Sequence, residues 1–116
     1  MRELLRDEIP PGTLYLLVLK TLKRGENHGY GIAQSIWSAS GEVLQVEEGV
    51  LYPNLQRMLV KGLVKAEWGI SETNRRAKYY SITRAGRKQL AEETLNWKRL
   101  AAVIGRVLAP VTRGTK

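Results

Sequence analysis

Gln56 and Arg57 stand side by side in the segment Glu47 to Val64, EEGVLYPNLQRMLVKGLV, and each side chain is a fork able to pair with a base edge through two parallel hydrogen bonds. Asn54 and Lys61 flank them, and no acidic residue lies between Gly49 and Lys61 to repel a phosphate. The chemistry on offer is recognition, not bond-making. His28 is the sole histidine and there is no cysteine, so no disulfide framework and no plausible metal set is available. Nucleophile elbow, glycine-rich phosphate loop and paired-carboxylate cleft are all missing from the pattern. Neither metal, cofactor nor enzyme activity is therefore expected. His28 opens a helix, where capping or packing outweighs a sensor role.

Helical periodicity is what must position these forks. Leu51, Leu55, Met58 and Leu59 recur at i, i+4, i+7 and i+8, the stripe of an amphipathic helix. The opposite face then carries Gly49, Pro53, Gln56, Arg57 and Val60, with Asn54 and Lys61 on its flank, and it reads as a DNA recognition surface. Pro53 would clash with the Gly49 carbonyl inside a helix. A start near Glu48 or Gly49 puts it at the end of the first turn, where most amides have no helical partner. Glu47 and Glu48 stabilise the positive helix end, and Gly62 caps the other end near Lys61.

Charge points the same way. With 116 residues, 43% hydrophobic, the chain has room for one modest core. Its net charge of +8 and pI near 10.1 favour an anionic partner. The excess is concentrated after the recognition helix, where residues 61–88 hold eight lysines or arginines against two glutamates. No signal-peptide core precedes Gly12, and the densest apolar run, Leu14 to Leu19, is far too short to span a bilayer. A cytoplasmic protein without a membrane partner is expected.

Around the recognition helix the remaining elements assemble in order. Pro10-Pro11-Gly12-Thr13 opens a first helix to about Lys23, with Thr13 as N-cap. This helix is apolar nearly all round, so part of it is expected to meet another subunit. Arg24 to Asn27 form a turn. A second helix runs from His28 or Gly29 to about Ser38, with Ile32, Ile36 and Tyr30 inward. Leu44-Gln45-Val46 is a short alternating segment. Leu63 to Trp68 and Lys78 to Ile82 alternate as strands and predict a hairpin, with Tyr79 and Tyr80 packing within it. Its loop, Gly69 to Ala77, brings Asn74, Arg75 and Arg76, together with Lys78, beside the recognition helix, where they can neutralise DNA backbone charge. The sum is a mainly α fold with a small β-hairpin wing, a winged helix-turn-helix. Thr83 then caps a long helix from Arg84 to about Leu108. Leu90, Thr94, Trp97, Ala101, Ile104 and Leu108 follow a heptad spacing, widened by Leu100, Val103 and Val107. A domain this small cannot bury that seam alone, so a homodimer is expected. The chain divides into a DNA-binding domain at 1–83, a dimerisation helix at 84–109 and a frayed tail at 110–116.

Three blocks in this order resemble the signature of PadR-type transcriptional regulators. They are His28-Gly29-Tyr30-Gly31-Ile32, then Gly49-Val50-Leu51-Tyr52-Pro53-Asn54-Leu55-Gln56-Arg57-Met58 with Gly62-Leu63-Val64, then Arg75 to Thr83 with Gly86-Arg87. The resemblance spans about residues 12–108 and is nearest the short subfamily, whose C-terminal part is one helix. It implies a dimeric repressor that binds a palindromic operator in double-stranded DNA, with the third helix in the major groove and the wing along the backbone. By the same resemblance Tyr52 donates its hydroxyl to a phosphate, with ring packing at the helix edge as the rival role. Some regulators of this type hold flat aromatic ligands between subunits against a tryptophan, so Trp97 is either seam packing or part of a small-ligand site. The wing loop, Glu72-Thr73-Asn74-Arg75-Arg76, departs from the family's glycine-bearing pattern. The alternative function is a non-enzymatic basic dimerisation module for a protein partner or nonspecific nucleic acid.

Overall fold

The first helix, α1 (Pro11–Lys23), starts two residues earlier than Thr13 because a proline suits the opening position of a helix, where its fixed φ is already helical and its missing N–H costs nothing. The structure is a computed structural model that describes residues 9–111. Pro10 is the N-cap and makes no side-chain cap bond, so Thr13 lies inside the first turn. Leu14, Val18, Leu19 and Leu22 of α1 are buried, and Leu16 and Leu17 are half-buried.

A two-residue strand, β1 (Asn27–His28), leads directly into α2 (Gly29–Ala39). Its two residues are too few to leave an alternation in the sequence, which is why the segment reads there as a turn. His28 is the N-cap of α2, its Nδ1 accepting from the Gly31 amide at 3.0 Å. Ile32 and Ile36 point inward as expected, whereas Tyr30 is exposed. Leu44 to Val46 forms no strand. It is a connection without regular structure whose Val46 reaches the core.

Helix α3 (Glu48–Val60) buries Leu51, Leu55 and Met58, so the expected stripe faces the core. Leu55 and Met58 are fully enclosed, and truncating either to alanine would cost about 2–5 kcal/mol. Pro53 is the sixth helical residue, one position or more deeper than the first turn. The helix therefore gives up the bond that residue 53 would donate to Gly49. At the far end Gly62 adopts φ 76°, its amide donates to Leu59 O at 3.0 Å, and the Leu63 amide donates to Met58 O at 3.0 Å. This pair of bonds is the Schellman stop, and glycine is the residue that enters it without strain.

Strands β2 (Val64–Ile70) and β3 (Arg76–Ile82) pair antiparallel from Val64↔Ile82 to Ile70↔Arg76, with β1 added on the other edge of β3 in the order β1-β3-β2. Each strand runs two residues further toward the tip than the alternation predicts. The loop shrinks to residues 71–75, closed by the Ser71 amide to Arg75 O at 2.7 Å and the Asn74 amide to Ser71 O at 2.9 Å. Asn74 has φ 62°. It supplies the left-handed turn position for which glycine is the usual choice, since asparagine tolerates that conformation best among the other residues.

Thr83 ends the sheet and starts α4 (Arg84–Leu108). Its Oγ1 accepts from the Gly86 amide at 3.0 Å and donates to Gly62 O at 2.7 Å, while its own amide donates to Leu63 O at 3.1 Å. One threonine thus ties the stop of α3 to the start of α4. Among the described residues, four helices and a three-stranded antiparallel sheet in this order form a winged helix followed by a long helix.

Candidate nucleic-acid interface

Because Leu51, Leu55 and Met58 fix the rotation of α3, Gly49, Pro53, Gln56, Arg57 and Lys61 are all exposed on its outer side. Nothing within 4 Å would oppose a Cβ at Gly49, so the fold itself has no need of a glycine there. Gln56 and Arg57 project from a helix whose inner side is fully anchored, which is the arrangement that a rigid base-reading element requires.

Asn54 is a correction. Expected on the flank of the outer face, it is 0% exposed, and neither its Nδ2 nor its Oδ1 has a hydrogen-bond partner. At 100° per residue it falls one turn from Leu51 and Met58, close enough to the stripe for the core to close over it. Its side chain is enclosed in the core and not offered to a groove. Tyr52 is 43% exposed, with its ring laid against the backbone of Gly29 so closely that a Cβ there would collide with it. Ring packing is thus present, and part of the side chain stays open to solvent.

The hairpin stands beside α3 with Asn74, Arg75 and Arg76 exposed and Lys78 half-buried. Arg76 is not a free loop charge. Its guanidinium carbon sits 4.3 Å from the centroid of the Trp68 ring, a cation–π stack that holds the charge in place. Trp68 itself is 58% exposed and Ile70 is similarly open. Both continue the inward face of β2, after Val64 and Ala66, beyond the point where the body ends. The expected strand ended on Trp68 and so contained it in the alternation, while Ile70 lay one step of the same alternation beyond that end. Tyr79 packs edge-on to His28 with centroids 5.3 Å apart, and its hydroxyl donates to Ile70 O at 3.3 Å. Tyr80 is enclosed, and burial, helped by the nearby Tyr52 phenol, raises its pKa above the ordinary 10.0.

The seam residues divide. Leu90 is 5% exposed and belongs to the core shared with α1, α3 and the sheet, so its expected dimer role is corrected to a place inside the chain. Trp97, Ala101, Ile104 and Leu108 are all exposed, Trp97 at 53%. Between α1 and the first half of α4 runs a groove of about 880 Å³ with Leu16, Leu17, Leu90 and Leu95 in its floor and Lys20, Lys23, Arg87 and Lys98 at its rim. Among the described residues, no helix is long and apolar enough to cross a membrane, and no group of three or more His, Cys, Asp or Glu is placed to hold a metal ion. Residues 112–116 of the expected frayed tail lie outside the described residues, as does the N-terminus through Glu8.

Residues 18–92 match the model of the transcriptional regulator PadR-like family. The chain belongs to the PadR-like family. Its members regulate transcription and are not enzymes. A transcriptional regulator from Clostridium thermocellum superposes with a TM-score of 0.77 at 28% identity, over 84% of this chain and 95% of that one. A PadR family regulator from Eggerthella lenta gives 0.73 at 32% identity, over 86% and 85% of the two chains. One from Clostridium difficile gives 0.72 at 26% identity, over 83% and 98%. The matched segment of this PadR-like regulator covers α2, α3 and the hairpin whole and stops within α4, before Trp97. The exposed half of α4 is thus outside the family match.

Proposed function

We propose that this PadR-like regulator is a cytoplasmic, homodimeric repressor that recognises a palindromic operator, with Gln56 and Arg57 reading bases in the major groove. The observation that carries the reading is the outer side of α3, two bidentate-capable side chains on a helix anchored by a fully buried stripe and bordered by a basic hairpin. Arg75, Arg76 and Lys78 neutralise phosphates, and Tyr52 donates to one from the helix edge. Gly49 lets the α3 backbone approach the duplex closely.

The second protomer covers the exposed half of α4. Trp97, Ala101, Ile104 and Leu108 are its seam, and residues 84–109 act as the dimerisation element attached to a DNA-binding unit of residues 1–83. Open apolar side chains on a water-facing helix favour association, and a two-fold partner offers a self-complementary surface. The Thr83 tie between α3 and α4 supports a mechanism of population shift. A signal that favours a dimer with wrongly spaced recognition helices weakens operator binding by its preference for that state. A flat aromatic ligand at Trp97, between protomers, is one such signal.

Genomic selection of bound DNA tests the reading, with a single palindrome expected, half-sites about one helical turn apart. Equal recovery of random duplex would favour the other class of function, a basic dimerisation module for a protein partner or nonspecific nucleic acid. The exposed Trp68 and Ile70 at the hairpin tip are what that second reading has in its favour.

A further inference from the structure

The outer half of the hairpin carries an aromatic ring where contact with a phosphate needs only charge. Strand β2 turns Val64, Ala66, Trp68 and Ile70 to one face, and the register sets Lys78 directly across from Trp68 and Arg76 across from Ile70. Val64 and Ala66 pack on the body, whereas Trp68 and Ile70 are exposed. Burial thus gives no reason for a tryptophan at this position. What the ring does contact is Arg76, whose guanidinium carbon lies over it, 4.3 Å from its centroid.

The kind of partner decides what the arginine can still do. A carboxylate would take the edge of the guanidinium, where the N–H donors lie, and would cancel its charge. A ring takes the face instead and leaves both donors and charge for another partner. Among the described residues Arg76 has no carboxylate partner, and Glu67, the acidic residue of β2, alternates to the opposite face of the hairpin. An arginine on a free stem gives up rotamer freedom when it binds, and a stacked one has given up part of it beforehand. The strand ends beneath are held as well. The Tyr79 hydroxyl donates to Ile70 O at 3.3 Å, and the Ser71 amide closes the loop onto Arg75 O at 2.7 Å.

We propose that Trp68 is a positioning residue, its ring holding the Arg76 guanidinium in place with its N–H edge open to a phosphate of the duplex seated on α3. The inference rests on the DNA reading above and adds to it a neutral side chain on which one charge contact depends. It gives the exposed ring a role that needs no second protein.

The test titrates the full-length protein with its selected operator over a series of salt concentrations, comparing Trp68→Leu, Trp68→Phe, Arg76→Ala and the pair Trp68→Leu with Arg76→Ala. Trp68→Leu removes the ring, keeps an apolar side chain at an exposed strand position and removes no charge. It should nevertheless weaken binding about two- to fivefold. It should also lower the slope of log affinity against log salt by about 0.9, one phosphate, as Arg76→Ala does. The paired variant should lose no more slope than Arg76→Ala alone, and Trp68→Phe should keep most of the parent's affinity and slope. An unchanged slope in Trp68→Leu would overturn the proposal, as would a fall of several contacts at once, the mark of a collapsed hairpin. So would slope losses that add in the paired variant, or a Trp68→Phe no better than Trp68→Leu. Arg57→Ala separates the two readings. If it loses operator preference while Trp68→Leu binds as the parent does, the role of Trp68 alone falls, whereas a parent without affinity for duplex would bring down both.

Discussion

Helices α3 and α4 are both amphipathic, and they treat their apolar stripes in opposite ways. In α3 the same chain buries Leu51, Leu55 and Met58 and half-covers Leu59, and what remains outside is mostly small or polar, Glu48, Gly49, Pro53, Gln56 and Arg57 with Lys61 just beyond, together with Val50, Tyr52 and Val60. In α4 only Gly86 and Leu90 are buried, and Leu95, Trp97, Leu100, Ile104 and Leu108 stay in water. The reason is geometric. A 25-residue helix rises about 37 Å, and α1 and the sheet reach only its first half. One helix thus offers polar forks on a rigid base, the other an apolar surface in need of cover. The first suits a duplex and the second a protein.

Removing the uncovered half of α4 is the strongest test of this contrast. A chain cut after Leu95 keeps Gly86, Leu90 and Leu95, and should sediment as a folded monomer. Without the linked second half-site, operator affinity should fall by about 10²- to 10⁴-fold. A dimer with full affinity would show that the stripe is not the interface. Leu90→Ala sharpens the same point from the other side. It should cost about 2–5 kcal/mol of folding stability in the cut and the whole chain alike, and an effect seen only in the dimer would return Leu90 to the seam.

Arg57→Ala probes the offered face of α3. It should cost about 1–3 kcal/mol on the preferred site and less on random duplex, read by titration of both DNAs. Equal weakening on both would make Arg57 a phosphate ligand. Replacing Arg75, Arg76 and Lys78 together should weaken binding to every sequence and reduce the slope of log affinity against log salt by about 0.9 for each phosphate no longer neutralised. An unchanged slope would remove the hairpin from the interface.

The smallest effect concerns the floor beneath both faces. Tyr80 holds its proton more tightly folded than unfolded, because burial and the nearby Tyr52 phenol disfavour the phenolate. Its contribution to stability is complete below pH about 10, where the unfolded phenol is also neutral, and is lost as pH rises through the higher folded value. Denaturant titrations of Tyr80→Phe should accordingly show a shallower alkaline fall than the parent. Identical pH profiles would mean that the phenol is hydrated in the folded protein.

Much of this was legible along the chain because periodicity reports facing. The stripe of α3, the cap at His28, the stop at Gly62, the cap at Thr83 and the hairpin all follow from local spacing and local hydrogen bonding. Asn54 shows where that logic thins out. A residue at the edge of a stripe is placed inside or outside by what packs over it, and its polar side chain gave the wrong answer. Trp68 and Arg76 show the same limit on the hairpin, where the strands outrun the body and a ring that alternation assigns inward stands in the open under a guanidinium.

Sequence by itself determined which residues share a face, since that depends only on helical and strand repeats, and it determined the family through blocks whose order and spacing are kept. It also determined the excess of positive charge after the third helix. Only the tertiary structure decided how far each face is covered. That quantity depends on the length of one element relative to its neighbours, so α1 and the sheet could close over Leu90 and leave Trp97 exposed along a single uninterrupted heptad.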